Sequence, residues 1–257
     1  MIKVLVNGAL GRMGRTVLEA VKNDSELELV GAVDIFDGEV SGVKIETNLE
    51  KAIEICKPDV MVDFTRPDSV FKNVMTALEK KVSPVVGTTG LSDDAKEKIR
   101  VAAEKFQTPA FIAPNFAIGA VLMMLFSKQA AKYLPDVEII ELHHDKKLDA
   151  PSGTAELTAK MIAEVRKSHK QGNPAEKENL ANVRGADYEG MRIHSVRLPG
   201  YVAHQEVIFG GLGQTLTIRH DSTGRDSFMP GVLLACKKVR GLSGLTIGLD
   251  KLLEDRA

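Results

Sequence analysis

With 257 residues, 44% of them hydrophobic and 27% charged, the chain has ordinary globular composition and enough length for one large domain or two modest ones. Its 34 Lys and Arg against 35 Asp and Glu leave it almost neutral, which argues against nucleic acid or another polyanion as its main ligand. Cys56 and Cys236 are too few for a disulfide framework and too far apart for a CxxC site, and the longest apolar run, near Ala117 to Phe126, falls far short of the roughly 20 residues of a membrane helix.

Residues 2–7 are apolar and β-branched and end at Asn7-Gly8, the pattern of a buried strand. Met13, Val17, Leu18 and Val21 recur at helical spacing over 12–23, and a second strand is expected at 27–34, closing on Asp34. Strand, glycine turn, helix, strand is a βαβ unit. The alternation goes on through a short helix at 52–56, a strand at 60–64, a helix from Asp68 to Lys80 and a strand at 84–86. Ser92 then caps a helix that runs to Phe106, with Asp93 and Asp94 in its first turn, and a strand at 110–112 follows. Such alternation predicts an α/β fold built on a Rossmann-like, doubly wound parallel sheet.

Beyond residue 115 the pattern changes. A long apolar helix is expected at 118–134, a strand at 137–144, a helix at 153–168, a polar loop, and strand-like runs at 191–198, 204–209 and 214–221. Strands joined by short Gly-rich turns suggest a second, α+β domain with a mixed or antiparallel sheet. A last helix near 226–239 is expected to return to the first domain, so the division is 1–115 completed by 226–257, and 116–225. The N-terminus enters its apolar run at once, with no leader or lipidation signal, and the expected location is the cytoplasm.

Gly8-Ala9-Leu10-Gly11-Arg12-Met13-Gly14 lies between the first strand and the first helix. Glycine lets the backbone approach a pyrophosphate, and the helix start offers N–H groups and the positive end of a dipole. Asp34, closing the next strand about 20 residues on, is placed to accept hydrogen bonds from an adenosine ribose. The segment therefore reads as a dinucleotide site. A carboxylate at 34 repels a 2′-phosphate and Ile35-Phe36 add no cation, which favours NADH; Arg12 within reach of such a phosphate leaves NADPH use open.

In a doubly wound sheet the ligand lies beyond the carboxyl ends of the strands. Those ends are Phe64-Thr65-Arg66, Gly87-Thr88-Thr89-Gly90 and Ala113-Pro114-Asn115-Phe116. Gly87, Thr88 and Thr89 join a close backbone to two hydroxyls, which suits a nicotinamide ribose or carboxamide. The sequence has no GK[ST] P-loop and no Tyr-x-x-x-Lys pair, and both cysteines sit in apolar helical contexts that suggest packing rather than nucleophilic work.

The stretch Glu141-Leu142-His143-His144-Asp145-Lys146-Lys147-Leu148-Asp149-Ala150-Pro151-Ser152-Gly153-Thr154-Ala155 carries the densest chemistry. His143 and His144 point to opposite faces while the strand persists, so they are expected to do different work. Ser152 or its neighbour caps the next helix, and Gly153 and Thr154 at its start make an anion site. Lys147 supplies a mobile cation able to donate a proton. Together they describe a pocket for a small carboxylate whose reaction needs protonation. No metal site is expected.

Along its full length the sequence resembles the dihydrodipicolinate reductase family. GxxGRMGR at 8–15, Asp-Phe-Thr-Arg-Pro at 63–67, Gly-Thr-Thr-Gly at 87–90, Asn-Phe-Ala-Ile-Gly at 115–119 and His-His-x-x-Lys-x-Asp-x-Pro-Ser-Gly-Thr-Ala at 143–155 carry the likeness. The resemblance implies reduction of 4-hydroxy-tetrahydrodipicolinate, a cyclic imine with two carboxylates, by NAD(P)H in the diaminopimelate route to lysine. It implies a homotetramer whose second domain binds substrate and makes the subunit contacts. It makes His143 and Lys147 the proton-transfer residues and His144, Gly153 and Thr154 the substrate carboxylate holders. It lines the dinucleotide with Gly8 to Met13, Asp34, the Phe64 strand end, Gly87 to Thr89 and Ala113 to Phe116, and places Arg225 and Phe228 near it. The chain departs from the family at Ile35, where an Arg is common, and at Arg197-Leu198-Pro199-Gly200, where Arg-Gly-Gly is common. On the residues alone, an aspartate-type amino-acid dehydrogenase and a non-catalytic dinucleotide sensor remain the alternatives.

Overall fold

The opening run Ile2–Asn7 forms β1, and its Val4, Leu5 and Val6 are completely buried. A strand apolar on both faces needs cover on both. The computed structural model, which describes residues 1–253, supplies that cover with a parallel sheet and its crossover helices. After β1 come α1 (Arg12–Lys22), β2 (Leu27–Val33), β3 (Gly38–Val40), β4 (Val43–Glu46), α2 (Leu49–Cys56) and β5 (Val60–Asp63). Then follow α3 (Val70–Glu79), β6 (Ser83–Val86), α4 (Asp93–Lys105) and β7 (Ala110–Ile112). The chain continues through α5 (Ile118–Ala130), β8 (Asp136–His143), α6 (Gly153–Ala163), β9 (Ala186–Tyr188), β10 (Met191–Arg197), β11 (Ala203–Gly211) and β12 (Gln214–Ser222). A 3-10 turn at Arg225–Phe228 leads into α7 (Met229–Lys238), β13 (Leu245–Ile247) and α8 (Asp250–Leu253).

Contacts divide the chain into Met1–Ile118 with the stretch from Arg225 onward, and Gly119–Gly224. The first unit holds an eight-stranded sheet in the order β13-β7-β6-β5-β1-β2-β4-β3, parallel except for the β3–β4 pair. Leu5, Val33 and Met61 pack with Ala52 and Ile53 of α2 and Ala77 of α3. By strand alternation Val4 and Val6 point the other way, the side on which α7 also meets β1. The strand order reverses at β1, between β2 and β5, and this opens a crevice at the carboxyl ends of those strands.

The second unit holds a five-stranded mixed sheet in the order β12-β11-β8-β10-β9. Its central strand, β8, pairs antiparallel with β11 and parallel with β10. Val137, Ile139, Val207, Phe209, Met191 and Ile193 share its buried face, and α6 packs on β8.

Several expected boundaries move. The helix expected at 153–168 ends at Ala163. Arg166 is buried three residues later, giving its guanidinium to the carbonyls of Pro135, Glu189 and His169, which holds the chain in a loop there. The helix expected to 134 stops at Ala130, and that expected from 226 begins with a 3-10 turn. The short strands β3, β4, β9 and β13 were not expected. Positions 254–257 of the expected 226–257 return lie outside the described residues.

Candidate active site

Gly8 has φ +83°, and a Cβ there would stand 2.4 Å from the Phe64 carbonyl oxygen. A Cβ on Gly14 would stand 2.0 Å from the Gly8 carbonyl oxygen. Both positions therefore exclude any side chain, and the turn lies tight against the neighbouring strand end. Gly11 is the N-cap of α1 and offers no side-chain cap, so the first amides of α1 remain available to a phosphate. Asp34 accepts from the Leu10 amide at 2.8 Å through one oxygen and from the Ile35 amide at 2.8 Å through the other. Each oxygen keeps a second lone pair for a ribose hydroxyl.

A cleft of about 770 Å³ opens at this point. Gly8, Leu10, Gly11, Asp34 and Phe64 line it, together with Ile35, Phe36, Thr65, Arg66 and Lys72. Its volume, its two side-chain-free glycines and its uncapped helix start fit a dinucleotide. Ala9 is buried beneath the turn, Met13 is half-buried, and Arg12 is exposed and outside the cleft lining. Among the described residues the cations on the cleft wall are Arg66, at the strand end expected to face the ligand, and Lys72, for which the sequence gives no signal. The exposed rings and chains of Ile35 and Phe36 offer an apolar surface there.

The other strand ends are knit to the same rim. Gly87 admits the Phe64 ring, which a Cβ at 87 would meet at 2.1 Å. Phe64 in turn packs on Phe116 with ring centroids 5.9 Å apart. Thr88 is buried, whereas Thr89 and Pro114 are exposed. Ala113 is buried, and Asn115 accepts from the Ala117 amide at 2.9 Å. Arg225 is exposed and Phe228 half-buried in the 3-10 turn that packs against α1.

Asp63, at the end of β5, is a fully buried carboxylate held by neutral donors. One oxygen accepts from the Thr65 amide, the Thr65 hydroxyl and the Thr88 hydroxyl at 2.7–3.0 Å. The other accepts from Asn7 at 2.9 Å and Asn73 at 3.0 Å. The residue appears in the Asp-Phe-Thr-Arg-Pro stretch, but its hub role could not be read from it.

In the second unit, β8 ends at His143, and His144 already lies outside the strand, exposed. The His144 carbonyl accepts from the Lys147 amide at 3.2 Å, which folds the loop back. The Lys147 ammonium does not stand free. It is held at 2.7 and 2.8 Å by the two oxygens of Asp149. Ser152 caps α6, its hydroxyl accepting from the Ala155 amide at 3.2 Å, and Gly153 is exposed at the first helical position with Thr154 half-buried beside it.

Beneath His143 lies a fully buried Glu141. Alternation puts both on one face of β8. His143 Nδ1 contacts Glu141 Oε2, and Arg197 grips the same carboxylate with both terminal nitrogens at 2.9 and 2.7 Å. Burial pushes the Glu141 carboxyl up, but the hydrogen bonds from His143 and Arg197 outweigh it and bring it down to about 2. Arg197 lies at the end of the strand expected at 191–198; it closes β10, in register with His143. Glu141 and Arg197 were missed as site residues because only the register of two strands brings them together.

The cysteines are inert: burial pushes the Cys56 thiol up and the Cys236 thiol up to about 12. No cluster able to hold a metal ion occurs among the described residues.

A Rossmann-type unit with a dinucleotide cleft, joined in one chain to a unit bearing histidine, lysine and a capped helix start, defines an NAD(P)H-dependent oxidoreductase. The family model for the N-terminus of dihydrodipicolinate reductase matches residues 2–116, and that for its C-terminus matches residues 119–253. The chain belongs to the dihydrodipicolinate reductase family. It is 53% identical to a 4-hydroxy-tetrahydrodipicolinate reductase of Desulfitobacterium hafniense, across 98% of this chain and 99% of that one. With the corresponding protein of Enterococcus faecalis it is 51% identical, across 98% and 100%. A solved structure of a dipicolinate-bound dihydrodipicolinate reductase from Paenisporosarcina sp. TG-14 superimposes with TM-score 0.92 at 49% identity, covering 98% of this chain and 99% of that one. An amine dehydrogenase from Mycobacterium smegmatis shares the fold alone, at 13% identity and TM-score 0.68, covering 100% of this chain and 97% of that one.

Proposed function

We propose that the chain reduces 4-hydroxy-tetrahydrodipicolinate, by way of dihydrodipicolinate, with NADH in preference to NADPH. The cofactor preference rests on one observation: Asp34 closes β2 at the cleft and is followed by apolar, exposed Ile35 and Phe36. A carboxylate accepts hydrogen bonds from a ribose diol and repels a phosphate at the same place. Gly8 to Met13 receive the pyrophosphate, and the strand ends at Phe64, Gly87 to Thr89 and Ala113 to Phe116 hold the remainder, with Arg225 and Phe228 beside it. The bound reduced nicotinamide supplies a hydride. The protein supplies position, charge and protons.

The substrate, a ring imine with two carboxylates, is held by His144, Gly153 and Thr154, the α6 start offering its dipole and amides to a carboxylate. Loss of water gives an α,β-unsaturated imine. Hydride adds at ring C4, the electron pair moves to nitrogen as an enamine, and a proton delivered at C3 from Lys147 or His143 completes the reduction. We place the enzyme in the cytoplasm as a homotetramer; no helix among the described residues is long and apolar enough to cross a membrane.

The test follows the loss of reduced-cofactor absorbance while aspartate semialdehyde, pyruvate and the preceding synthase generate substrate in place. A higher kcat/KM with NADH than with NADPH is expected. Equal or better use of NADPH overturns the preference. Oxidation with aspartate semialdehyde or pyruvate alone, or none at all, overturns the substrate.

A further inference from the structure

Glu141 poses a physical question. A buried carboxylate gripped by arginine is seldom more stabilising than a well-packed apolar pair of the same volume, because both charges lose their hydration. Glu141 is nonetheless fully buried directly under His143, in the middle strand of its sheet. An ionised carboxylate can only accept hydrogen bonds. The nitrogen of His143 that contacts it, Nδ1, must therefore carry a hydrogen. In the neutral ring that leaves Nε2, at the opposite edge, as the lone-pair nitrogen; in the protonated ring it leaves Nε2–H as the donor.

Arg197 sets the charge of the arrangement and its reach. Both of its terminal nitrogens bind Glu141, and one also donates to the Asp149 carbonyl at 2.8 Å. Asp149 is the residue whose carboxylate holds Lys147. One guanidinium thus ties the carboxylate under His143 to the loop that carries Lys147. We infer that Glu141, its charge balanced by Arg197, is the positioning residue that fixes His143 as the Nδ1–H tautomer, and that Arg197 fixes the Lys147 loop to the same anchor. The inference rests on the reading of His143 and Lys147 as the proton-transfer residues.

The groups around His143 are few. Glu141 lies on its own strand, Arg197 on β10, and Lys147 and Asp149 on the loop beyond. From β11 the facing residue is Ala203, next to it the neutral Gln205, while His204 lies on the other face, paired with Asp221 at 2.7 Å. Among the described residues Glu141 is the carboxylate hydrogen-bonded to the ring, and Glu141→Gln replaces that acceptor with an amide. A glutamine amide there can turn either its oxygen or its NH2 toward Nδ1, so Glu141→Gln frees the ring to take the other tautomer.

The test has three parts on the full-length enzyme. In the free wild type, nitrogen-15 NMR of labelled histidine, assigned by subtraction with His143→Gln, should show His143 as the Nδ1–H tautomer. Glu141→Gln should lower kcat about a hundredfold, the scale of a misoriented catalytic group, with the Nε2–H form of His143 appearing in the nitrogen-15 spectrum and KM for NADH unchanged. Arg197→Lys keeps the charge and loses the fork; it should lower kcat with the Nδ1–H tautomer of His143 in place. An Nε2–H tautomer in the wild type overturns the inference even if neither the Glu141 nor the Arg197 variant folds, and so does a folded Glu141→Gln enzyme with the kcat and the tautomer of the wild type. If His143→Gln turns over normally while the tautomer is as expected, the reaction role of His143 fails and the positioning stands.

Discussion

Lys147 rests with its ammonium on both oxygens of Asp149, and that hydrogen bond holds the Asp149 carboxyl below its ordinary value. Asp149 is largely exposed, so the pair contributes little to stability and is easily exchanged for a substrate carboxylate. Lys147→Ala is therefore expected to leave the fold and NADH binding intact, as read by cofactor fluorescence titration. Its kcat should fall by about a hundredfold or more, the range of general-acid catalysis. Near-normal turnover would remove Lys147 from the proton path. Glu141 makes a different demand, on stability against pH. Its carboxyl lies at about 2 in the folded chain against an ordinary 4.5. A depressed carboxyl stabilises the fold above its unfolded value, and that contribution is lost as pH falls toward the folded value. Urea midpoints measured from pH 5 down toward the folded value of about 2 should fall less steeply for Glu141→Gln than for the wild type. Parallel curves would show that the buried charge is not what acid attacks.

Asp63 joins four elements at the cofactor rim: Asn7 ends β1, Thr88 follows β6, Asn73 lies in α3, and Thr65 leads from β5 toward it. None of these donors carries a charge, so the carboxylate works by geometry. Asp63→Ala should leave buried donors unpaired and let Phe64 and Thr88 drift. The expected outcome is a KM for NADH raised about tenfold or more with kcat at saturation much less affected; an unchanged KM would confine Asp63 to the core. Alternating strands and helices, the Ser92 and Ser152 caps and the glycine turn were all legible, because each is local in sequence. The elements that escaped are three- and four-residue strands such as β3 and β13, too short for a period to show. The contacts that escaped are Asn7–Asp63 and Glu141–Arg197, each joining residues 56 apart. Only strand order and register place such pairs together. The Asp149 partner of Lys147 lies two residues away, but an irregular loop gives no periodicity from which to read a pair.

At the scale of the whole molecule the five-stranded sheet has two unlike faces. Val137, Ile139, Val207 and Phe209 are buried on one of them, where α6 packs on β8. The alternate positions Ile140, Leu142, Val196 and Ile208 lie on the other face and are only half-buried. A sheet face meant for water normally turns polar side chains outward. Here apolar side chains alternate with charged ones, His194 and Glu206 flanking Ile140 and Glu138 lying opposite Ile208, a mixture of apolar and paired charged groups that an interface can bury. A self-complementary patch of this kind favours closed symmetric assembly by copies of the chain. Such a patch alone closes a pair, and the proposed homotetramer predicts by light scattering behind size exclusion a mass about four times the 27.9 kDa of one chain. Ile208→Glu, which places a second carboxylate opposite Glu138 on that face, should shift that mass downward. A wild type that stays monomeric at micromolar concentration would show that the face is only solvated. Ile140 and Leu142 alternate along β8 with Glu141 and His143, so the strand that carries the histidine proposed for proton transfer is the same one that carries the patch. Loosening the assembly should then free β8 on one side, and the Ile208→Glu enzyme is expected to lose kcat in parallel with mass as it is diluted, whereas the wild type keeps both.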